Sequence, residues 1–309
     1  MANREIAWSP LFNKQGNKGQ IKGVLPMASF SMNNNSVKIH GTGITKPTRL
    51  LVVSDAHLSL DDERGIPNQE NSKRMAAAYP QAFANFTQML SERKTDAYDY
   101  LLMLGDMVSF PSAKGVETIM ELAGKTGLPY AYTAGNHDWH FEGLPGTEIK
   151  LRREWTAKRL APLYQGRNPL CYSIELNGLN LVMMDTSACE ILPEQQAFWR
   201  RQVEKGLPTI VFGHIPFWVP GRDVGFSVGH PNWNASTDGN WKIEQRLRWP
   251  ESGHSKTTMD FHKEVFSADN LLGIVAGHIH GQSVDFYRGK FQVVVQYGVT
   301  GGFLEMTID

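Results

Sequence analysis

Cysteine is nearly absent: Cys171 and Cys189 are the only two in 309 residues. Two cysteines make no disulfide framework, and they do not stand in a metal-binding CxxC spacing. They would join only in an oxidising compartment; in a reducing one they are two small buried side chains. An excess of either charge is also lacking, with Lys plus Arg at 31 and Asp plus Glu at 31. That balance argues against a protein whose main affinity is for nucleic-acid phosphates or anionic lipid. No uninterrupted apolar stretch approaches the ~18–20 residues of a membrane-spanning helix. No basic segment followed by an apolar core opens the chain, so no signal peptide is expected in it. A soluble protein is expected, either cytoplasmic or exported with its signal already removed. With 41% hydrophobic and 20% charged residues, wholesale disorder is excluded.

Residues 1–48 are rich in Gly and Asn and read as an N-terminal arm or an edge hairpin, with a short strand near Val37–His40. From Arg49 the pattern changes, and a single domain is expected over 49–309. Apolar runs of strand length end abruptly in polar clusters at Leu50–Val53, Tyr100–Leu104, Tyr130–Thr133, Leu181–Met184, Thr209–Phe212 and Leu271–Ala276. Such runs suit strands buried on both faces. Helical spacing covers about residues 70–93, where Pro80 is expected to kink the helix, and also 146–162 and 193–205. Asn177-Gly178 and Arg288-Gly289 read as tight turns between strands. The alternation predicts a layered α/β (α+β) domain with a mixed sheet. Residues 216–256 hold four of the eight tryptophans, with much Gly, Pro, Asn and Ser and no clear period. This insertion is either a lid over a site or a segment with its own small core.

The ends of the apolar runs carry Asp55, His57, Asp106, Asn136, His137, His214, His278 and His280. Ligands bind beyond the carboxyl ends of strands in open α/β sheets. A lone histidine is usually structural, but five of the chain's ten histidines fall at these positions. Strand alternation would aim Asp55 and His57 at one site, and likewise His278 and His280. Imidazole and carboxylate ligands without thiolate suit Zn²⁺, Fe or Mn²⁺. Seven such ligands exceed one tetrahedral shell and suit two ions sharing a carboxylate, ~3.5–4 Å apart.

The ordered blocks Asp55-Ala56-His57, Gly105-Asp106, Gly135-Asn136-His137-Asp138, Gly213-His214 and Gly277-His278-Ile279-His280 resemble those of the calcineurin-like metallophosphoesterases. The resemblance spans about 49–297. It implies a four-layer α/β/β/α sandwich of two facing mixed sheets, with a metal site at the carboxyl ends of the strands. It implies that Asp55, His57 and His280 hold one ion, that Asn136, His214 and His278 hold a second, and that Asp106 bridges them. It further implies hydrolysis of a phosphoric mono- or diester by a hydroxide held between the ions, with His137 near the leaving group. Asp138 either orients His137 or caps a turn. Ser109 stands where many members have Asp and purple acid phosphatases have a ligating Tyr, which disfavours the purple subgroup.

The expected substrate is a small phosphoester. The tryptophans favour one with an apolar or aromatic part, such as a nucleotide or a lipid-linked phosphate. Arg222, Arg246 and Arg248 in the insertion are either phosphate donors or surface residues. His40, His140, His230, His254 and His262 match no block and read as structural or surface residues, with His230 and His254 able to approach the site from the insertion. Two alternatives differ in class: a binding scaffold that kept the fold without catalysis, and a nuclease. The full ligand set speaks against the first, and the zero net charge against the second.

Overall fold

The computed structural model describes residues 4–7, 28–64, 67, 69–93, 95–141, 144–225, 228–234, 236–237 and 252–309. Among the described residues, thirteen strands form two mixed sheets. The first has seven, in the order β1 (Arg4–Ala7), β2 (Ser29–Asn33), β3 (Ser36–His40), β13 (Leu304–Ile308), β4 (Thr48–Val53), β5 (Tyr100–Met103) and β6 (Tyr130–Tyr132). The second has six: β11 (Ser283–Tyr287), β12 (Lys290–Val294), β10 (Leu271–Ala276), β9 (Thr209–Phe212), β8 (Leu179–Met184) and β7 (Cys171–Leu176). The strands that lead into the site run parallel, β4 with β5 and β6 in one sheet and β8 with β9 and β10 in the other. Their carboxyl ends therefore gather on one edge of each sheet.

Side-chain alternation builds the layers. Leu181, Met183, Ile210, Phe212 and Val275 join the core shared with Leu50, Val52 and Leu102 of the first sheet. Their neighbours Val182, Met184, Val211 and Ile274 face the other way. That outer face is covered by α6 (Pro193–Glu204) and α7 (Lys256–Ser267), through Trp199, Phe261, Val265 and Phe266. A strand buried on both faces is apolar at most positions, which is why these runs are nearly continuous, with Asn180 and Thr209 as buried polar exceptions. Phe86 and Met89 of α2 (Ala82–Ser91), with Val116 and Ile119 of α3 (Ala113–Lys125), pack into the larger core beside the first sheet.

Three expectations need revision. The helix over about 70–93 is two helices, α1 (Gln69–Ala78) and α2, because Pro80 has no N–H to donate and restricts the residue before it. The span 146–162 is α4 (Glu148–Trp155), one wide π turn (Thr156–Leu160) and α5 (Ala161–Tyr164). Helices α3 and α7 were not expected. Each begins at a serine whose hydroxyl accepts a main-chain N–H: Ser112 from Gly115 (2.9 Å) and Ser255 from Thr258 (3.2 Å).

Residues 29–40 form a hairpin that β3 joins to β13. The turns at Asn177-Gly178 and Arg288-Gly289 both have positive φ at both positions, as the right-handed twist of their strands requires. Both cysteines are buried thiols, and burial pushes the Cys171 thiol up to about 12.

Candidate metal centre

Every singled-out residue lies just past the carboxyl end of a strand. Asp55 and His57 follow β4, Asp106 follows β5, and Asn136 and His137 follow β6; His214 follows β9, and His278 and His280 follow β10. The two sheets thus bring residues far apart in sequence to one edge.

The strand-alternation argument for Asp55 with His57, and for His278 with His280, does not hold. Both pairs lie beyond the last strand residue. Asp55, His57, Asp106, His278 and His280 all take left-handed backbone, with φ of 55°, 47°, 49°, 71° and 55°. Each such residue costs roughly 1–3 kcal/mol unless its surroundings hold it. Here the loops hold one another. Asp55 N–H donates to Gly105 O (3.0 Å) and His57 N–H to Asp106 O (2.9 Å). His278 N–H donates to Asp55 Oδ2 (2.9 Å) and His137 N–H to Asp106 Oδ1 (2.8 Å). Two glycines permit this closeness. A Cβ on Gly135 would lie 2.1 Å from Asp106 Oδ1, and one on Gly277 would lie 1.9 Å from Ser54 Oγ.

Two sets of three side chains could each hold an ion: Asp55, His57 and His280, and Asp106, His214 and His278. His57 and His137 also gather around Asp106. His57 Nε2 is 3.0 Å from His280 Nε2, 3.7 Å from Asp106 Oδ2 and 4.0 Å from Asp55 Oδ1. His280 Nε2 is 3.5 Å from Asp55 Oδ1, and His214 Nε2 is 3.1 Å from Asp106 Oδ2. Donors about 2.1 Å from one ion lie about 3.0–3.4 Å apart in octahedral or tetrahedral shells, close to most of these separations. Asp106 Oδ2 is near a histidine of each set. Asn136 is buried between Gly135 and His137, and its main-chain oxygen accepts from His140 Nδ1 (2.5 Å).

The donor chemistry fits cations. His214 Nδ1 donates to Leu104 O (2.8 Å), which turns the lone pair of Nε2 toward the Asp106 carboxylate. Two acceptors face each other there unless a proton or a cation lies between them. Burial raises the Asp106 carboxyl, but the electrostatic pull of the neighbouring histidines, with the hydrogen bond to His214, outweighs it and holds it well below the usual range. Burial holds the His57 imidazole neutral, at about 3. His214 resists burial because Asp106 is beside it, and rises to about 9. Asp55 is likewise lowered against burial by the hydrogen bond to His280.

Asp138 accepts from Val108 N–H (3.0 Å), Gly135 N–H (2.8 Å) and the Tyr132 hydroxyl (2.8 Å). These bonds fit the turn-capping alternative: the carboxylate fixes the loop that carries Asn136 and His137. Burial, with the Asp106 charge adding, pushes it up to about 7. Ser109 also braces the site, its hydroxyl donating to His57 O (2.9 Å).

Sequence reasoning missed several supports. Tyr79, left outside both helices by Pro80, stacks on His57 with centroids 5.0 Å apart. Tyr297 stacks on His280 at 5.2 Å and 6°. Thr186 Oγ1 accepts from His214 N–H (2.9 Å). Tyr79 lies in the span read as helical and Tyr297 in none of the ligand blocks, so nothing in the sequence marks either ring.

In the insertion, Trp233 is buried and stacks on His254 (4.4 Å), whose Nδ1 donates to Glu190 (3.0 Å). His230 Nδ1 accepts from Asn232 N–H, and His262 Nε2 donates to Trp218 O (2.7 Å). Arg222 pairs with Asp285 (2.8 Å). His40 pairs with Asp309. Trp241, Trp249, Arg246 and Arg248 lie outside the described residues. No described helix is long and apolar enough to cross a membrane.

The family model for calcineurin-like phosphoesterases matches residues 48–282. Among curated proteins, none matches the chain. Among solved structures, a dimetal phosphatase from Danio rerio is similar at 11% identity and TM-score 0.47, over 84% of this chain and 91% of that one. A purple acid phosphatase from yellow lupin (Lupinus luteus) seeds is similar at 14% identity and TM-score 0.49, over 89% of this chain and 48% of that one. A phosphopantetheinyl hydrolase from Mycobacterium tuberculosis is similar at 13% identity and TM-score 0.42, over 82% and 92%.

Proposed function

The chain belongs to the calcineurin-like phosphoesterase family, and on that premise we propose that it hydrolyses a small phosphoric mono- or diester at a two-ion centre. The carrying observation is the position of Asp106 Oδ2, 3.1 Å from His214 Nε2 and 3.7 Å from His57 Nε2. One carboxylate oxygen faces a histidine of each set. In this reading Asp55, His57 and His280 hold one ion, Asn136, His214 and His278 hold the other, and Asp106 is shared. The ions are Mn, Fe or Zn, and when bound they supply an activated water and charge stabilisation on the phosphoryl oxygens.

The protein's own contributions follow from the geometry. The interlocked left-handed loops fix the ligand positions through main-chain hydrogen bonds, which keeps reorganisation on binding small. His137 is 8% exposed, with its ring 5.0 Å from that of His57. From there it is placed to give a proton to the leaving oxygen or to stabilise charge on the phosphoryl group. Asp138 positions its main chain. A substrate with an apolar or aromatic part, such as a nucleotide or a lipid-linked phosphate, belongs to this proposal through Trp218, Trp241 and Trp249, because Trp233 is buried against His254. The reading of 216–256 as a lid belongs to the same proposal.

The test is hydrolysis of p-nitrophenyl phosphate and bis-p-nitrophenyl phosphate by Mn²⁺-loaded protein, with Asp106→Asn as control. Cleavage of either ester that disappears in the variant supports the assignment. Metal-replete wild type that cleaves neither favours a binding scaffold on the same fold.

A further inference from the structure

The turn after β6 carries a buried histidine that matches none of the ligand blocks. His140 follows Asn136 by four residues and His137 by three. Its ring is buried, and Nδ1 donates to Asn136 O (2.5 Å), which closes the turn. The same ring stacks on that of His137, with centroids 5.7 Å apart and planes at 29°. One side chain thus touches the backbone of a candidate ligand and the ring of the residue placed near the leaving group.

Stacking orients a neighbour only when the bracing ring cannot itself turn. Here the turn is clamped from both sheets. Asp138 holds it to the loop after β5 through Val108 N–H. Trp139 holds it to the loop after β8: the indole is buried, and Nε1 donates to Ser187 Oγ (2.8 Å). The Ser187 hydroxyl donates in turn to Asp185 Oδ1 (2.5 Å), whose Oδ2 lies 3.3 Å from Arg152 Nη1 of α4. This buried polar run fixes the indole, whose ring lies 5.2 Å from that of His140. A buried ring anchored by a hydrogen bond and packed against a fixed indole keeps one orientation. On the His137 ring, His57 adds an edge-on contact, at 5.0 Å and 77°. One stacked and one edge-on neighbour together leave an imidazole little freedom about χ2.

We propose that His140 is a positioning residue for hydrolysis: its ring face holds the His137 imidazole in the orientation that serves the leaving oxygen, while its Nδ1–H separately fixes the Asn136 main chain. The effect on rate rests on the hydrolytic reading; the effect on the His137 ring rests on the contacts alone. A general acid works only within hydrogen-bond reach, ~2.6–3.2 Å, of the atom it serves. Misplacement by about 1 Å can cost roughly 10²-fold. An imidazole free to turn meets that demand only part of the time.

Two substitutions in the full chain separate the two contacts. His140→Asn keeps an amide donor near the place of Nδ1 and removes the ring; His140→Phe keeps the ring and removes the donor. Each Mn²⁺-loaded variant is compared with wild type in bound metal, in kcat on phenyl and p-nitrophenyl phosphates and their diesters, and in the crystal for the His137 ring. His140→Asn should keep both ions, turn the His137 ring, and lose roughly tenfold on the phenyl ester but about twofold or less on the p-nitrophenyl ester. His140→Phe should keep the wild-type His137 ring, and any loss should be uniform across the esters. If His140→Asn does not fold, Ser187→Ala decides with the same signature, because it frees the Trp139 indole. Wild-type leaving-group dependence in His140→Asn, the loss of an ion from it, or the same signature in His140→Phe would overturn the proposal. Wild type that cleaves no ester overturns the hydrolytic reading instead, and the His137 ring position then decides: an unmoved ring in His140→Asn would overturn the brace.

Discussion

His57 Nε2 and His280 Nε2 lie 3.0 Å apart, although 223 residues separate them in sequence. One ring hangs from the end of β4 and the other from the end of β10, so each sheet supplies one. Both rings are braced from behind, His57 by Tyr79 and His280 by Tyr297. Two nitrogens at that separation are a chelating pair for an ion that accepts imidazole.

Removing one brace is expected to weaken one ion and spare the other. Tyr297→Ala frees the His280 ring to rotate, and affinity at the Asp55–His57–His280 set should fall roughly tenfold, as for other groups that orient a ligand. Stepwise Mn²⁺ titration by calorimetry checks this. Equal loss at both steps would contradict the assignment of Tyr297 to one set.

Gly135→Ala should disrupt the centre more than the fold. Its Cβ would lie 2.1 Å from Asp106 Oδ1 and 2.3 Å from Asp106 N, in backbone that cannot yield cheaply. Overpacking of this kind costs about 1–3 kcal/mol. Urea unfolding should show that loss, and metal analysis should show a drop in bound ions. Full metal content in a folded variant would mean that the loops are looser than this geometry.

How far the sequence disclosed this arrangement depends on the residue. The apolar runs marked the strands because strands buried on both faces hold few polar residues. The ligand blocks were legible because each closes such a run. The reason that Asp55 and His57 share a site was not legible: left-handed backbone at a non-glycine residue follows from tertiary contacts, not from composition. Tyr79 and Tyr297 were invisible for a similar reason, since an aromatic beside a ligand looks like any half-buried tyrosine. Helix α3 was missed although Ser112 caps it, because Gly115 and Gly124 within it weaken the helical signal.

Glu190 gives a prediction about pH. Burial raises its carboxyl, but hydrogen bonds from His254, Thr258 and Ser255 outweigh that and lower it below the ordinary 4.5. A depressed carboxyl stabilises the fold above its ordinary value, and the contribution fades as pH falls through the folded one. Glu190→Gln should therefore lose about 1–3 kcal/mol near pH 7. The gap to wild type should narrow steadily below pH 4.5. Denaturant unfolding across pH 3–7 checks both; a gap independent of pH would show that charge is not the cause.

His137→Ala is expected to retain both ions and lose turnover. Its main-chain N–H, not its ring, bonds Asp106 Oδ1, so the loop survives the substitution. Loss of a general acid costs about 10²–10⁴-fold in rate. The loss should shrink with esters whose leaving groups need no proton, such as p-nitrophenolate. A uniform loss across leaving groups would point instead to charge stabilisation on the phosphoryl oxygens.

The most direct test of the shared-carboxylate centre is Mn²⁺ loading followed by metal analysis and electron paramagnetic resonance, on wild type and Asp106→Asn. Two ions per chain with a spin-coupled spectrum are predicted for wild type, and loss of coupling with at most one tightly held ion for the variant. A single uncoupled ion in wild type, or an unchanged coupled spectrum in Asp106→Asn, would contradict the account.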